Sequence, residues 1–141
     1  MAEKQAGTIE STTGGNTTRL KITSQSFRYC EYREKASQTR TIYLGRKPIQ
    51  FVVNTWCEEA IKGVEVEISV EIRERGTDEP IFETFWVTTL THTKQQSAFI
   101  FREFPEELTH LIPGKIYTYY ASALVNETDE FADRSTRATV R

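Results

Sequence analysis

The side chains of this 141-residue chain best suited to hold a metal or attack an electrophile are His92, His110, Cys30 and Cys57. Zinc sites gather nitrogen and sulfur ligands in close pairs, about three to six residues apart, because one turn then presents both. Neither histidine and neither cysteine has such a neighbour, so a metal centre would need all four to converge from distant segments. A nucleophilic thiol needs a base, a cation or a helix start to lower its pKa, and no histidine or Gly-rich turn flanks either cysteine. In a reducing compartment both read as free thiols, and a bond between them would need their Cβ atoms within about 4.5 Å. The carboxylate pairs Glu58/Glu59 and Glu106/Glu107 are adjacent and point in different directions, which suits them poorly to shared acid and base work. There is no Gly-x-Ser-x-Gly, P-loop or dinucleotide fingerprint. The expectation is a chain that is not an enzyme and takes no metal or cofactor.

Binding chemistry is more visible. A net charge of -2 and a pI near 5.8 argue against a nucleic-acid binder, which needs a basic excess to neutralise phosphates. The charge is unevenly placed. Residues 19–47 carry eight Lys or Arg against Glu31 and Glu34, a balance of +6; residues 48–141 carry nine basic and sixteen acidic side chains, a balance of -7. Solvated faces that keep the protein soluble are the plainer reading. Complementary patches that meet between neighbouring subunits are the sharper one. For that contact Arg40, Arg46 and Lys47 are the basic candidates, and Glu65, Glu67 and Glu71 the acidic ones, because alternate residues of a strand share a face. Trp56, Trp86 and the tyrosines offer stacking surfaces for sugar rings. If Phe85 and Val87 face the core, Trp86 points outward; the competing placement puts Trp86 under the opposite sheet.

The elements that must position these groups are strands. Val64, Val66, Ile68, Val70 and Ile72 alternate with Glu65, Glu67, Ser69, Glu71 and Arg73, the period of a strand with one buried face. Residues 75–80 supply turn chemistry, and Ile81 to Leu90 reads as the returning strand of a hairpin. Further strands are expected over Leu20 to Tyr29, Ile49 to Trp56, Ser97 to Phe104, Lys115 to Asn126 and Ser135 to Val140, all rich in β-branched and aromatic residues. Single helical turns are expected near Glu58 to Lys62 and Pro105 to Leu111. About seven strands make an all-β, two-sheet sandwich over residues 19–141, preceded by a flexible polar arm over residues 1–18, whose composition cannot bury enough surface to order itself.

Leu111-Ile112-Pro113-Gly114-Lys115-Ile116-Tyr117 resembles the Leu-x-Pro-Gly-x-x-Tyr segment of fibronectin type III domains. The resemblance covers about residues 49–141. It implies an immunoglobulin-like sandwich in which Pro113 and Gly114 turn the chain, Tyr117 closes a tyrosine corner, and Trp56 is the core tryptophan of the second strand. It also implies a scaffold for adhesion, spacing or assembly, although a fold alone confers no function. The expected role is a non-catalytic structural or assembly module working through protein contacts or self-assembly, such as a virion decoration, spacer or tail component. A carbohydrate-binding module using exposed aromatics is the alternative. No apolar run approaches the ~20 residues that span a bilayer, and no apolar signal core opens the sequence, so synthesis in a cytoplasm and no membrane partner are expected.

Overall fold

Alternation builds the centre of the molecule. Val66, Ile68, Val70 and Ile72 are fully buried, whereas Glu65, Glu67, Ser69, Glu71 and Arg73 turn to the other face of the same strand. Each of those four aliphatic side chains contributes roughly 1.5–3 kcal/mol by leaving water. The computed structural model describes residues 19–29 and 37–141. Among these it has strands β1 (Leu20–Tyr29), β2 (Ser37–Thr39), β3 (Thr41–Ile42), β4 (Ile49–Cys57), β5 (Glu65–Glu74), β6 (Pro80–Thr89), β7 (Lys94–Phe101), β8 (Ile116–Val125) and β9 (Glu130–Val140). The arm expected over residues 1–18 and Cys30 lie outside the described residues.

The strands form a four-stranded sheet of order β2-β1-β4-β7 and a five-stranded sheet of order β3-β9-β8-β5-β6. The chain changes sheets at Arg40. Before it, β2 pairs antiparallel with β1; after it, β3 pairs parallel with β9, and the Thr139 N–H donates to the Arg40 carbonyl at 3.1 Å. This hand-over from one sheet edge to the other, with β1, β4 and β7 facing β9, β8, β5 and β6, makes the fold an immunoglobulin-like sandwich. Its two layers meet through rings: Phe27 stacks on Tyr119 at 4.5 Å, and Phe51 stands edge-on to Phe27 and Phe101. Buried Gln25 ties the sheets by donating to the carbonyls of Arg134 (2.9 Å) and Tyr119 (3.4 Å), which satisfies a side chain that would otherwise be costly inside.

The Pro113-Gly114 turn forms as its residues demand. Gly114 holds φ at +86°, and the Lys115 N–H donates back to Ile112 across the turn at 3.1 Å, the pattern of a type II turn. Five residues on, the Tyr117 hydroxyl accepts from the Ile112 N–H at 3.0 Å, which closes the corner between the sheets. The expected single turns are 3-10 turns at Glu59–Ile61 and Glu106–His110.

Some expectations need correcting. β2 and β3 were not foreseen, because two or three residues rich in Ser, Thr and Gln carry no periodic signal. β7 spans Lys94–Phe101 rather than 97–104: β4 is long enough to pair with polar Lys94, Gln95 and Gln96, and the strand ends before Arg102. Trp56 is not a core residue. On β4 the inward positions are Ile49, Phe51, Val53, Thr55 and Cys57, so Trp56 falls on the outer side, half-buried, with the Lys21 ammonium 4.9 Å from its ring centroid.

Candidate functional site

The outer face of the five-stranded sheet is read row by row from its register. Val87 on β6 lies beside Glu67 on β5, Leu124 on β8 and Phe131 on β9; the next row is Phe85, Ser69, Ser122 and Asp133; the next is Glu83, Glu71, Tyr120 and Ser135. Serines at the centre and rings at the sides make a trough. Its floor is Ser69 and Ser122, its walls are Phe85 and Phe131, and Glu71, Glu83, Arg73 and Tyr120 close one end around about 580 Å³. That volume is in the range of small-ligand clefts.

The closed end is held rigidly. The Arg73 guanidinium lies 4.0 Å from the Tyr120 ring centroid and donates from Nη2 to Glu71 Oε2 at 2.5 Å. The Tyr120 hydroxyl donates to Oδ2 of Asp133 at 2.6 Å, and Asp133 is fully buried. Burial first, and the Asp133 carboxylate second, push the Tyr120 hydroxyl far above its ordinary pKa, so it remains a donor at any physiological pH. The open side is different. Phe85 is 62% and Val87 56% exposed, and both stand on β6, whose only sheet neighbour among the described residues is β5.

The acidic candidates therefore share one face, as their spacing requires, but not one environment. Glu65 is exposed and Glu67 half-buried in the middle of the sheet, while Glu71 is occupied by Arg73. The basic candidates do not form a patch. Arg40 is exposed at the sheet change, the Arg46 guanidinium lies over the rings of Tyr29 (5.6 Å) and Tyr43 (5.9 Å), and Lys47 pairs with Glu103 at 2.5 Å. Basic residues on a common sheet face are instead Lys21, Arg28 and Lys94, on the outside of the four-stranded sheet, with Lys21, Trp56 and Lys94 directly in register across β1, β4 and β7.

Trp86 does not point outward. It packs under the opposite sheet, 9% exposed, stacked on Phe99 at 5.6 Å with its indole N–H donating to Ser97 Oγ at 2.6 Å. Phe85 and Val87 take the outer positions, the reverse of the arrangement that would have presented Trp86 to a sugar. Both parities of β6 are apolar in sequence, so only its pairing with β5 decides which faces inward. Phe85, Val87, Arg73, Tyr120, Phe131 and Asp133 were missed for that reason: none belongs to a motif, and the trough exists only once β5, β6, β8 and β9 are side by side.

Of the side chains that could do chemistry, Cys57 and His92 are neighbours, through the His92 backbone, and Cys30 lies outside the described residues. Cys57 is a buried free thiol that donates to the His92 carbonyl at 3.3 Å, and burial raises its pKa, the opposite of what a nucleophile needs. His92 and His110 are exposed, His110 at the end of the second 3-10 turn. Among the described residues no three His, Cys, Asp or Glu side chains are grouped to hold a metal ion, and no helix is long and apolar enough to cross a membrane. No family model and no curated protein sequence matches the chain. Among solved structures, the CARDB domain of a Pyrococcus furiosus protein, crystallised in complex with di-metal ions, is similar over 86% of this chain and 85% of that chain, at 13% identity and a TM-score of 0.43. Similarity of that degree carries no correspondence of site residues.

Proposed function

We propose that the chain is a non-catalytic self-assembly module, fibronectin type III-like in build and suited to the spacer, decoration or tail roles found in virions, and that its contacts run through the outer face of the five-stranded sheet. One observation carries the reading: Phe85 and Val87 stand exposed side by side on an edge strand, with Glu65, Glu67 and Glu83 around them. Sheet edges are normally blunted by proline, bulges or charge; on β6 Pro80, the bulge opposite Arg73 and Glu83 do this at one end, and the outward apolar pair lies beyond them. Covering such a pair contributes on the order of 2 kcal/mol, and the surrounding carboxylates select what covers it. Light scattering from micromolar to millimolar protein at low salt tests this. Self-association is expected, and Phe85→Ser/Val87→Ser abolishes it without lowering Tm. A wild-type chain that stays monomeric at millimolar concentration, or a double variant that associates unchanged, overturns the reading.

The trough supports a second reading, a carbohydrate-binding module. Aromatic walls at Phe85 and Phe131 and polar groups at Ser69, Ser122, Glu71 and Glu83 match the pairing of ring stacking with hydroxyl recognition. Saturation-transfer NMR against neutral oligosaccharides distinguishes it. Transfer that is lost in Phe85→Ser, from a monomeric protein, would put this reading first.

A further inference from the structure

The two outer faces of this one domain are unlike in charge. The outward charges of the four-stranded sheet are Lys21, Arg28 and Lys94, and its outward apolar positions are Trp56, Ile100 and, at the centre of β4, Val52, which is fully buried. Among the described residues this face has three cations and no carboxylate. Its apolar surface is Trp56, half-buried between two lysines, and Ile100, 39% exposed. Outward from the five-stranded sheet point Glu65, Glu67, Glu71 and Glu83 against Arg73, which pairs with Glu71, and Arg137, which shares the Arg73 row at the far end from Glu65; the carboxylates predominate around Phe85 and Val87.

We infer, building on the self-assembly reading, that the surface covering Phe85 and Val87 is the outer face of the four-stranded sheet of a second copy, so that copies stack head to tail. Charge decides against the alternatives. Two five-stranded faces brought together would set Glu65, Glu67 and Glu83 against their own kind, and two four-stranded faces would do the same with Lys21 and Lys94. Like charges in contact oppose association, whereas the unlike pairing sets the glutamates against Lys21 and Lys94 and lets Phe85 and Val87 meet Trp56 between those lysines; Ile100, six residues along β7 from Lys94, lies about 20 Å away and outside that contact. Three strands about eight residues long and ~4.8 Å apart, with three-residue β2 beside them, cover roughly 430 Å², so each contact buries about 850 Å² in total, the low end of weak interfaces. Association is therefore expected at high local concentration and falls with salt, as the Debye length shortens from ~10 Å at 0.1 M to ~3 Å at 1 M. A head-to-tail contact does not close on itself unless its rotation forms a ring, so each copy keeps one face free for the next.

Sedimentation velocity on the whole chain, with two charge-reversed variants, tests the proposal. Lys21→Glu/Lys94→Glu reverses one face and Glu65→Lys/Glu67→Lys the other; thermal melts verify that both still fold. Each variant alone should associate at least tenfold more weakly than wild type. Mixed in equal amounts they should recover association to within about threefold of wild type, because each then meets a complementary face on its neighbour. If Lys21→Glu/Lys94→Glu associates like wild type while Phe85→Ser/Val87→Ser does not, the five-stranded face pairs with something else; self-assembly stands and head-to-tail stacking falls. If the mixture stays as weak as its components, the stacking geometry falls as well. A monomeric wild type removes the self-assembly reading itself.

Discussion

The two sheets bury inner faces of the same kind and expose outer faces of different kinds. Inside, each contributes rings and branched aliphatics at alternate positions, and Phe27, Phe51, Phe82 and Tyr119 interlock without regard to which sheet they come from. Outside, the four-stranded sheet is cationic and amide-rich around Trp56, while the five-stranded sheet is acidic around Phe85 and Val87. Folding rests on the inner faces, with the buried Tyr120–Asp133 pair as the outer face's share. The outer contrast does nothing for the core, and it is the contrast that would serve assembly.

Truncating the two tryptophans separates core from surface by the largest margin. Trp86 lies in the core and Trp56 on a surface, so Trp86→Ala should cost about 3–5 kcal/mol in chemical denaturation and Trp56→Ala about 1 kcal/mol or less. Equal losses would mean that Trp56 also supports the core. Tyrosine hydroxyls come next. Tyr120→Phe leaves the buried Asp133 carboxylate without its 2.6 Å donor and should cost about 1–3 kcal/mol, more than Tyr117→Phe, which removes the corner acceptor for the Ile112 N–H and should cost about 1 kcal/mol. The same denaturation midpoints measure both, and the reverse order would show that the trough's closed end is not held as described.

Alkaline stability probes the buried tyrosines, Tyr29 and Tyr119 on the inner faces and Tyr120 at the trough. Burial pushes the Tyr29 hydroxyl up to about 12, and burial also raises Tyr119 and Tyr120. Above pH 10 the unfolded chain releases tyrosine protons that the folded chain keeps. Folding stability should therefore be unchanged by these groups below pH 10, fall as pH rises from 10 to 12, and lose roughly 2–3 kcal/mol for Tyr29 alone by the upper limit. A denaturation midpoint that is flat between pH 9 and 12 would contradict their burial. The smallest effect belongs to the residues first chosen for partner contact. Lys47→Glu breaks an exposed pair with Glu103 and should move stability by less than about 1 kcal/mol, and it should leave association within twofold of wild type, since Lys47 lies on neither outer face. A large loss of association would return the contact surface to the loop before β4.

Much of this fold was legible because β5 states its face without ambiguity: glutamates on one parity, Val and Ile on the other. The Pro113-Gly114 turn and Tyr117 were legible for a similar reason, since each needs one residue type at one backbone position. The candidate site was not. Glu65, Glu67 and Glu71 could be placed on a common face, yet Arg73 neutralises Glu71, and nothing local reports that. The basic stretch over residues 19–47 reads as one patch along the chain, but strand parity and the change of sheets at Arg40 scatter its described members among an outer face, a crossing and an end loop. Trp86 and Phe85 are neighbours of equal hydrophobicity, and only the partner strand decides which is buried.

Hydrogen exchange followed from dilute to millimolar protein at low salt addresses the central claim most directly, because it reports where copies touch as well as whether they do. Amides of Glu83–Val87 on β6 should slow at least tenfold as association sets in, and Phe85→Ser/Val87→Ser should remove this slowing while the buried strand β8 exchanges as before. Concentration-dependent protection confined to other segments, with β6 unchanged, would contradict it.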